Sequence, residues 1–288
     1  MSDKLQYFRQ NRLPHIWCPG CGHGTVTNAL VRAAAKIGLD KNKTVVVSGI
    51  GCSSRAPGYL DFDTLHTAHG RALAFATGVK HANPYLKVIV MTGDGDCAAI
   101  GGNHFIHAAR RNIDITTIVM NNNIYGMTSG QYSPMTPKNM LGTTAPYGNV
   151  EPAFDLAKLS IAAGASYVAR ATAYHVQVLG EIIEKALLHK GFSVVEALTP
   201  CPTYFGRKNK VGSAVDMLDW YRERAVNVKA AAIMTPDKLE GKFMIGELHC
   251  ETAPEFTVEY AKLVESVKRK FDNFKGKGGE QGCEQNSD

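Results

Sequence analysis

The stretch 87-KVIVMTGDGDCAAIGGNHFIHAARRNIDITTIVMNNN-123 decides the fold. Its flanks, Lys87–Thr92 and Ile115–Met120, are β-branched and apolar without alternation, the pattern of strands buried on both faces and hence of a parallel sheet. Between them Gly102–Arg111 has helical spacing. The 25 residues between Gly95 and Asn121 suit one βαβ crossover, which sets the loops after the two strands side by side.

Working outward, Thr44–Ser48 and Phe192–Ala197 are runs of the same buried type. Helical spacing marks Thr25–Ile37, closed by Gly38, and Gly70–His81, stopped by Asn83-Pro84. Phe154–Ala163 and His175–His189 complete the alternation. The expected fold class is α/β, an open doubly wound, mostly parallel sheet within 1–212. Residues 213–274 read as a helical C-terminal extension, and the low-complexity 275–288 as a frayed tail. No internal repeat is present.

The chain has 288 residues, 44% hydrophobic and 20% charged, which is ordinary for a globular protein and excludes disorder over most of its length. No apolar run approaches the roughly 18 residues of a membrane span, and the N-terminus lacks the pattern of a signal peptide. Seven cysteines is an odd number for a disulfide framework, so a reducing, cytoplasmic setting is expected. The net charge of +6 includes no Lys/Arg run like a nucleic-acid arm and points to anionic substrates or an acidic partner.

In an open α/β sheet, ligands sit beyond the carboxyl ends of the strands. There this sequence places Gly51-Cys52, 93-GDGD-96, Asn121-Asn122-Asn123 and Pro200-Cys201. Glycines let a backbone approach an anion, and the helix start at 101-GGNHF-105 offers free N–H groups. A carboxylate on such a turn repels phosphate unless a cation lies between them. Asp94 is therefore read as a ligand of Mg²⁺, joined by the amide oxygen of Asn122 and a nearby carbonyl. The competing reading is that GDG is a plain turn and NNN a plain loop.

Cys18 and Cys21 form a Cys-x-x-Cys in 17-WCPGCGHG-24. By itself this pair suits a redox disulfide, half a zinc site or half an iron–sulfur site. No strand precedes it, as a thioredoxin-like motif would require. Cys52 and Cys201 can join it from the carboxyl edge to make four thiolates. Cys97 reads as a small core residue, and Cys250 and Cys283 carry no assignment.

The GDG turn followed by NN resembles the signature of thiamine-diphosphate enzymes. The runs 119-VMNNNIYGMTSGQYSPMTP-137 and 66-HTAHGRALAFATGVKHANP-84 look like the β subunit of 2-oxoacid:ferredoxin oxidoreductases, and the likeness extends from about Trp17 to Arg207. It implies the diphosphate-binding half of a thiamine-diphosphate fold, with Mg²⁺ held by Asp94, Asn122 and the carbonyl of Ile124. It implies coenzyme contacts from Gly51, Cys52, Ser53, His69, Gly93, Gly95, Asp96, Gly126, Met127 and Thr128. It also implies a [4Fe–4S] cluster on Cys18, Cys21, Cys52 and Cys201.

The activity implied is oxidative decarboxylation of a 2-oxoacid, most like 2-oxoglutarate, to acyl-CoA and CO₂, with coenzyme A as co-substrate and ferredoxin as electron acceptor. An α subunit would carry the pyrimidine-binding half of the site and its Glu. Arg55 is the candidate for the substrate carboxylate and His69 for a catalytic place near the thiazolium. Plainer readings make His69 a polar loop residue and Arg71 a helix cap. His15, His81, His104 and His107 read as structural. Met127, Ser129 and Gln131 lie where substrate specificity is expected. The alternatives are a non-oxidative thiamine-diphosphate decarboxylase or synthase with structural zinc, and a scaffold subunit without catalysis.

Overall fold

The computed structural model describes residues 4–278. In chain order the strands are β1 Thr44–Ser48, β2 Asp63–His66, β3 Lys87–Gly93, β4 Ile115–Asn121, β5 Ile124–Tyr125, β6 Gln131–Tyr132, β7 Tyr167–Thr172, β8 Ser193–Leu198, β9 Ala225–Asn227 and β10 Phe243–Cys250. The helices are α1 His23–Ile37, α2 Ala72–Ala82, α3 Asp94–Ala98, α4 Gly102–Arg111, α5 Leu156–Ala162, α6 Val176–Leu188, α7 Ala214–Arg224, α8 Val228–Ala231, α9 Pro236–Leu239 and α10 Phe256–Gly278.

Eight strands form one sheet in the order β2-β1-β3-β4-β8-β7-β10-β9. The first six run parallel, and β10 lies antiparallel to β7. Successive side chains of a strand point to opposite faces, and two separate cores result. Val46, Ile89, Met91, Ile118 and Met120 face α1 and α6, through Val26, Leu30, Leu179 and Ile183. Val47, Val88, Val90 and Val119 face α2, α4 and α5, through Leu73, Phe105 and Leu156. The sheet is doubly wound, and its central strands are buried on both faces because neither meets water.

The sequence-based strand and helix bounds for this central region agree with the structure to within two residues at each end. Three elements escape the pattern. β7 carries Arg170, whose guanidinium is balanced by Glu196 of β8 at 2.6 Å and by Asp155. β2 is a short, half-exposed edge strand. β10 is interrupted by a register shift between Glu247 and His249. The segment after 212 is thus not purely helical: α7–α10 are joined by β9 and β10, which extend the main sheet. Residues 275–278, read as part of a frayed tail, continue the backbone of α10; Cys283 lies outside the described residues.

At the amino edge of the sheet, Asp114 is buried and shared by Lys80 at 2.8 Å, Lys190 at 3.2 Å and Lys87 at 3.9 Å. Burial pushes its carboxyl up, but the three ammonium groups outweigh that and hold it below its usual range. Its stabilisation is therefore full above the ordinary Asp range and lost as pH falls through the lowered value. Asp114→Asn strands the buried Lys80 charge, and breaking one side of such a pair costs about 3–5 kcal/mol. The urea midpoint at neutral pH should fall accordingly, and the gap from wild type should narrow on acidification. An unchanged midpoint would refute this account of the amino edge.

Candidate active site at the carboxyl edge

The parallel register brings Gly49–Cys52, Gly93–Asp96, Asn121–Asn123 and Pro200–Cys201 to one edge, as expected. Asp96 fastens the first of these to the second and to the loop after β2. Its buried carboxylate accepts from the Thr92 hydroxyl at 2.7 Å, from the Gly70 amide at 2.7 Å and from the Ile50 amide at 3.3 Å. The His69 Nδ1 lies 2.6 Å from Oδ1. One side chain thus ties β3 to the loops after β1 and β2. Gly49 must lack a side chain, because a Cβ there would stand 2.2 Å from the carboxylate. Asp96 lines the cavity at this edge while its Oδ1 takes the two amides and its Oδ2 the Thr92 hydroxyl.

Asp94 opens α3, and its carboxylate is also buried. Burial pushes its carboxyl up to about 7, against the lowering effect of a hydrogen bond from the Ser133 hydroxyl. Among the described residues it has no ion-pair partner. A buried carboxylate in that condition is the donor a cation would complete. Asn122 lies beside it in the wall, its Oδ1 accepting from the Ile124 amide at 3.2 Å and retaining a second lone pair. Carboxylate, amide and carbonyl oxygens suit a hard ion such as Mg²⁺. Asn121 has a structural part instead: its Nδ2 donates to Glu196 at 2.8 Å and its Oδ1 accepts from the Asn123 amide.

These loops surround a cavity of about 380 Å³. Its wall includes Gly51, Cys52, Ser53 and His69 from two loops, and Gly93, Asp94, Gly95 and Asp96 from the GDG turn. Asn122, Ile124, Gly126, Met127 and Thr128 complete the expected set. Arg55 is not in the wall. It is exposed on the turn Ser53–Tyr59, where its charge favours the thiolate of Cys52. Ser129 is also outside, whereas Gln131 lines the cavity and is tied to Thr128 at 2.6 Å. Arg71 occupies the N-cap position of α2 without a side-chain capping bond, and its guanidinium donates to the His69 carbonyl. The helix start at Gly101–Phe105 does not line the cavity; the GDG turn begins its own short helix.

Four wall residues lie outside the expected set, Ile50, Met120, His23 and Tyr125, and the last two carry polar groups. His23, in the CPGCGHG run, is buried, and burial pushes its pKa down to about 4, so it is neutral. Its Nδ1 stands 3.3 Å from the Cys21 carbonyl. Tyr125 lays its ring against Gly95, where a Cβ would come within 2.2 Å of the ring. The signal was available in both cases, as each stands inside a motif whose neighbours were chosen.

The four expected cysteines lie close enough for their charges to act on one another. The Trp17 indole donates to the Cys52 carbonyl at 2.7 Å, fastening the Cys-x-x-Cys turn to the loop after β1. That turn also packs on α7, since a Cβ on Gly20 would lie 2.3 Å from the Ala214 Cβ. Cys201 starts a single π-turn, Pro202–Gly206, and amides of Phe205 and Tyr204 donate to its sulfur. Burial pushes the thiols of Cys21 and Cys52 up to about 11, and the neighbouring cysteines add to the shift. Among the described residues no three His, Cys, Asp or Glu groups converge closely enough to hold one metal ion. Cys97 is buried in α3 and Cys250 is exposed on β10, both away from this group.

Removing Asp96 leaves two amides and a hydroxyl at this edge without their acceptor, and each orphaned buried donor costs about 1–3 kcal/mol. Asp96→Ala should therefore lower the unfolding free energy by about 3 kcal/mol or more in denaturant titrations. Stability equal to wild type would mean that the loops are held by something else.

The family model for the thiamine pyrophosphate enzyme, C-terminal TPP binding domain, matches residues 49–197. The 2-oxoglutarate synthase subunit KorB of Methanothermobacter marburgensis is 53% identical over 271 residues, covering 94% of this chain and 95% of that one. KorB of Archaeoglobus fulgidus is 51% identical over 268 residues, covering 93% and 97%. The 2-oxoacid:ferredoxin oxidoreductase 1, subunit beta, of Aeropyrum pernix is 47% identical over 188 residues, 65% of this chain and 59% of that one. Among solved structures, a 2-oxoglutarate:ferredoxin oxidoreductase from Magnetococcus marinus, with 2-oxoglutarate, coenzyme A and succinyl-CoA bound, is 36% identical with a TM-score of 0.83 over 98% of this chain and 93% of that chain. With the GDG and Asn-Asn loops on one edge of a doubly wound sheet, and likeness of this extent, the chain belongs to the β subunits of the 2-oxoacid:ferredoxin oxidoreductases, a family of thiamine pyrophosphate enzymes.

Proposed function

We propose that this subunit holds the diphosphate end of thiamine diphosphate through Mg²⁺ on Asp94, Asn122 and the Ile124 carbonyl, and a [4Fe–4S] cluster on Cys18, Cys21, Cys52 and Cys201. The reaction is oxidative decarboxylation of a 2-oxoacid, 2-oxoglutarate for preference, to the acyl-CoA and CO₂, with two electrons passed singly to ferredoxin. The observation that carries the reading is at Gly126. A Cβ there would stand 3.3 Å from the Cys52 sulfur, 3.9 Å from the Cys201 sulfur and 3.8 Å from Asn122 Nδ2. Thiols and metal-binding amide thus share one wall.

Bound thiamine diphosphate supplies the carbanion that adds to the keto carbon and the electron sink for loss of CO₂. A bound cluster supplies a one-electron acceptor beside it. The protein's contribution is placement. Asp94 and Asn122 position the cation, and Asp96 holds the His69 imidazole at the wall. Amides directed at the Cys201 sulfur stabilise its thiolate form. Four Cys thiolates, one to each iron, are the ligand set of a [4Fe–4S] cluster. A tetrahedral zinc needs all four about 2.3 Å from one centre.

His69 stands in the wall for a part in catalysis near the thiazolium. Arg55, exposed on the turn after Cys52, is assigned to the carboxylate of an incoming 2-oxoacid. Ile50 and Met127 line the cavity and remain about 40% exposed. An apolar rim of this kind suits cover by an α subunit that carries the pyrimidine half and its Glu. Free thiols at each described cysteine suit a reducing cytoplasm. Among the described residues no helix is long and apolar enough to cross a membrane.

Purified anaerobically with its partner subunit, the protein should be brown and contain about four irons per chain. Cys52→Ser should lose most of the iron and the visible absorbance. Stoichiometric zinc in a colourless protein would reject the cluster, and CO₂ release without dye or ferredoxin reduction would favour the non-oxidative alternative. Asp94→Asn should abolish Mg²⁺-dependent binding of thiamine diphosphate in calorimetric titration. Retention of full affinity would remove the metal assignment, and no binding even by wild type would favour the scaffold.

A further inference from the structure

We infer that Tyr125 is an additional coenzyme contact, its phenol O–H donating to a phosphate oxygen of thiamine diphosphate; this rests on the coenzyme site proposed above. The ring is held in place on two sides. It lies on Gly95, where a Cβ would stand 2.2 Å from ring carbons and 2.5 Å from the hydroxyl oxygen. It meets the His69 ring edge-on at 6.0 Å and 70°. The half-buried hydroxyl therefore sits over the GDG turn, in the cavity wall beside Asp94.

Among the described residues that hydroxyl has no hydrogen-bond partner. The nearby carboxylates do not take it up: Asp96 is occupied by its own donors, and Asp94 receives Ser133. A phenol O–H is a hydrogen-bond donor at neutral pH. A fixed O–H beside a cation-binding carboxylate is matched to an anion that the cation also holds. Gly95 then has a second reason to be glycine: it admits the Tyr125 ring as well as the anion.

The test uses the complex with its partner subunit, stripped of coenzyme and divalent ions, then titrated calorimetrically with thiamine diphosphate at fixed Mg²⁺. Tyr125→Phe keeps the ring on Gly95 and removes only the hydroxyl. Hydrogen bonds to charged groups of the strength expected here correspond to an affinity loss of about tenfold. The thermal midpoint without coenzyme should match wild type, while the rise produced by coenzyme should be smaller. Equal affinity and an equal thermal rise in the two proteins would overturn the proposal, whatever happens to turnover. Wild type that binds no coenzyme would overturn the underlying site, a result distinct from the first.

Discussion

Four donors meeting one buried carboxylate, that of Asp96, are the constraint on which the rest of this edge depends. A parallel sheet aligns the ends of its strands, but it does not decide how the loops beyond them turn. Asp96 does so for two of them, by accepting from the backbone at Ile50 and Gly70 while bound to Thr92 in its own strand. The same oxygen orients His69. Because these donors are out of water, each would be costly to leave unpaired, and the arrangement is correspondingly specific.

That arrangement leaves the neighbouring acid, Asp94, in the opposite condition. It is equally buried, yet among the described residues it has a hydroxyl and backbone partners and no ion pair. Two carboxylates with only Gly95 between them are thus held in different ways. Beyond Asn122 the backbone at Gly126 brings the thiols of Cys52 and Cys201 against the same wall. A glycine at 126 keeps the space between those sulfurs and Asn122 free of a side chain.

Much of this was legible before any coordinates. The unalternating strands Lys87–Thr92 and Ile115–Met120 require cover on both faces, so the doubly wound sheet follows from them. The expected coenzyme positions all line the cavity. β7 was not legible, because Arg170 breaks the apolar pattern and is neutralised by Glu196, a partner remote in sequence. β10 was hidden by its bulge and by half-polar residues at the sheet margin. Arg55 follows Cys52 closely in sequence, but the intervening turn carries it to the surface.

The sheet, the carboxyl edge and the types of residue gathered there follow from the chain's own pattern, because hydrophobic periodicity and strand direction are local properties. Packing across the fold sets how donors are shared between Asp94 and Asp96, lays the Tyr125 ring on Gly95 and brings the Cys52 and Cys201 sulfurs close to Gly126. Those outcomes depend on which donors reach which oxygen, and on how closely backbones approach across the fold. No spacing along the chain encodes either.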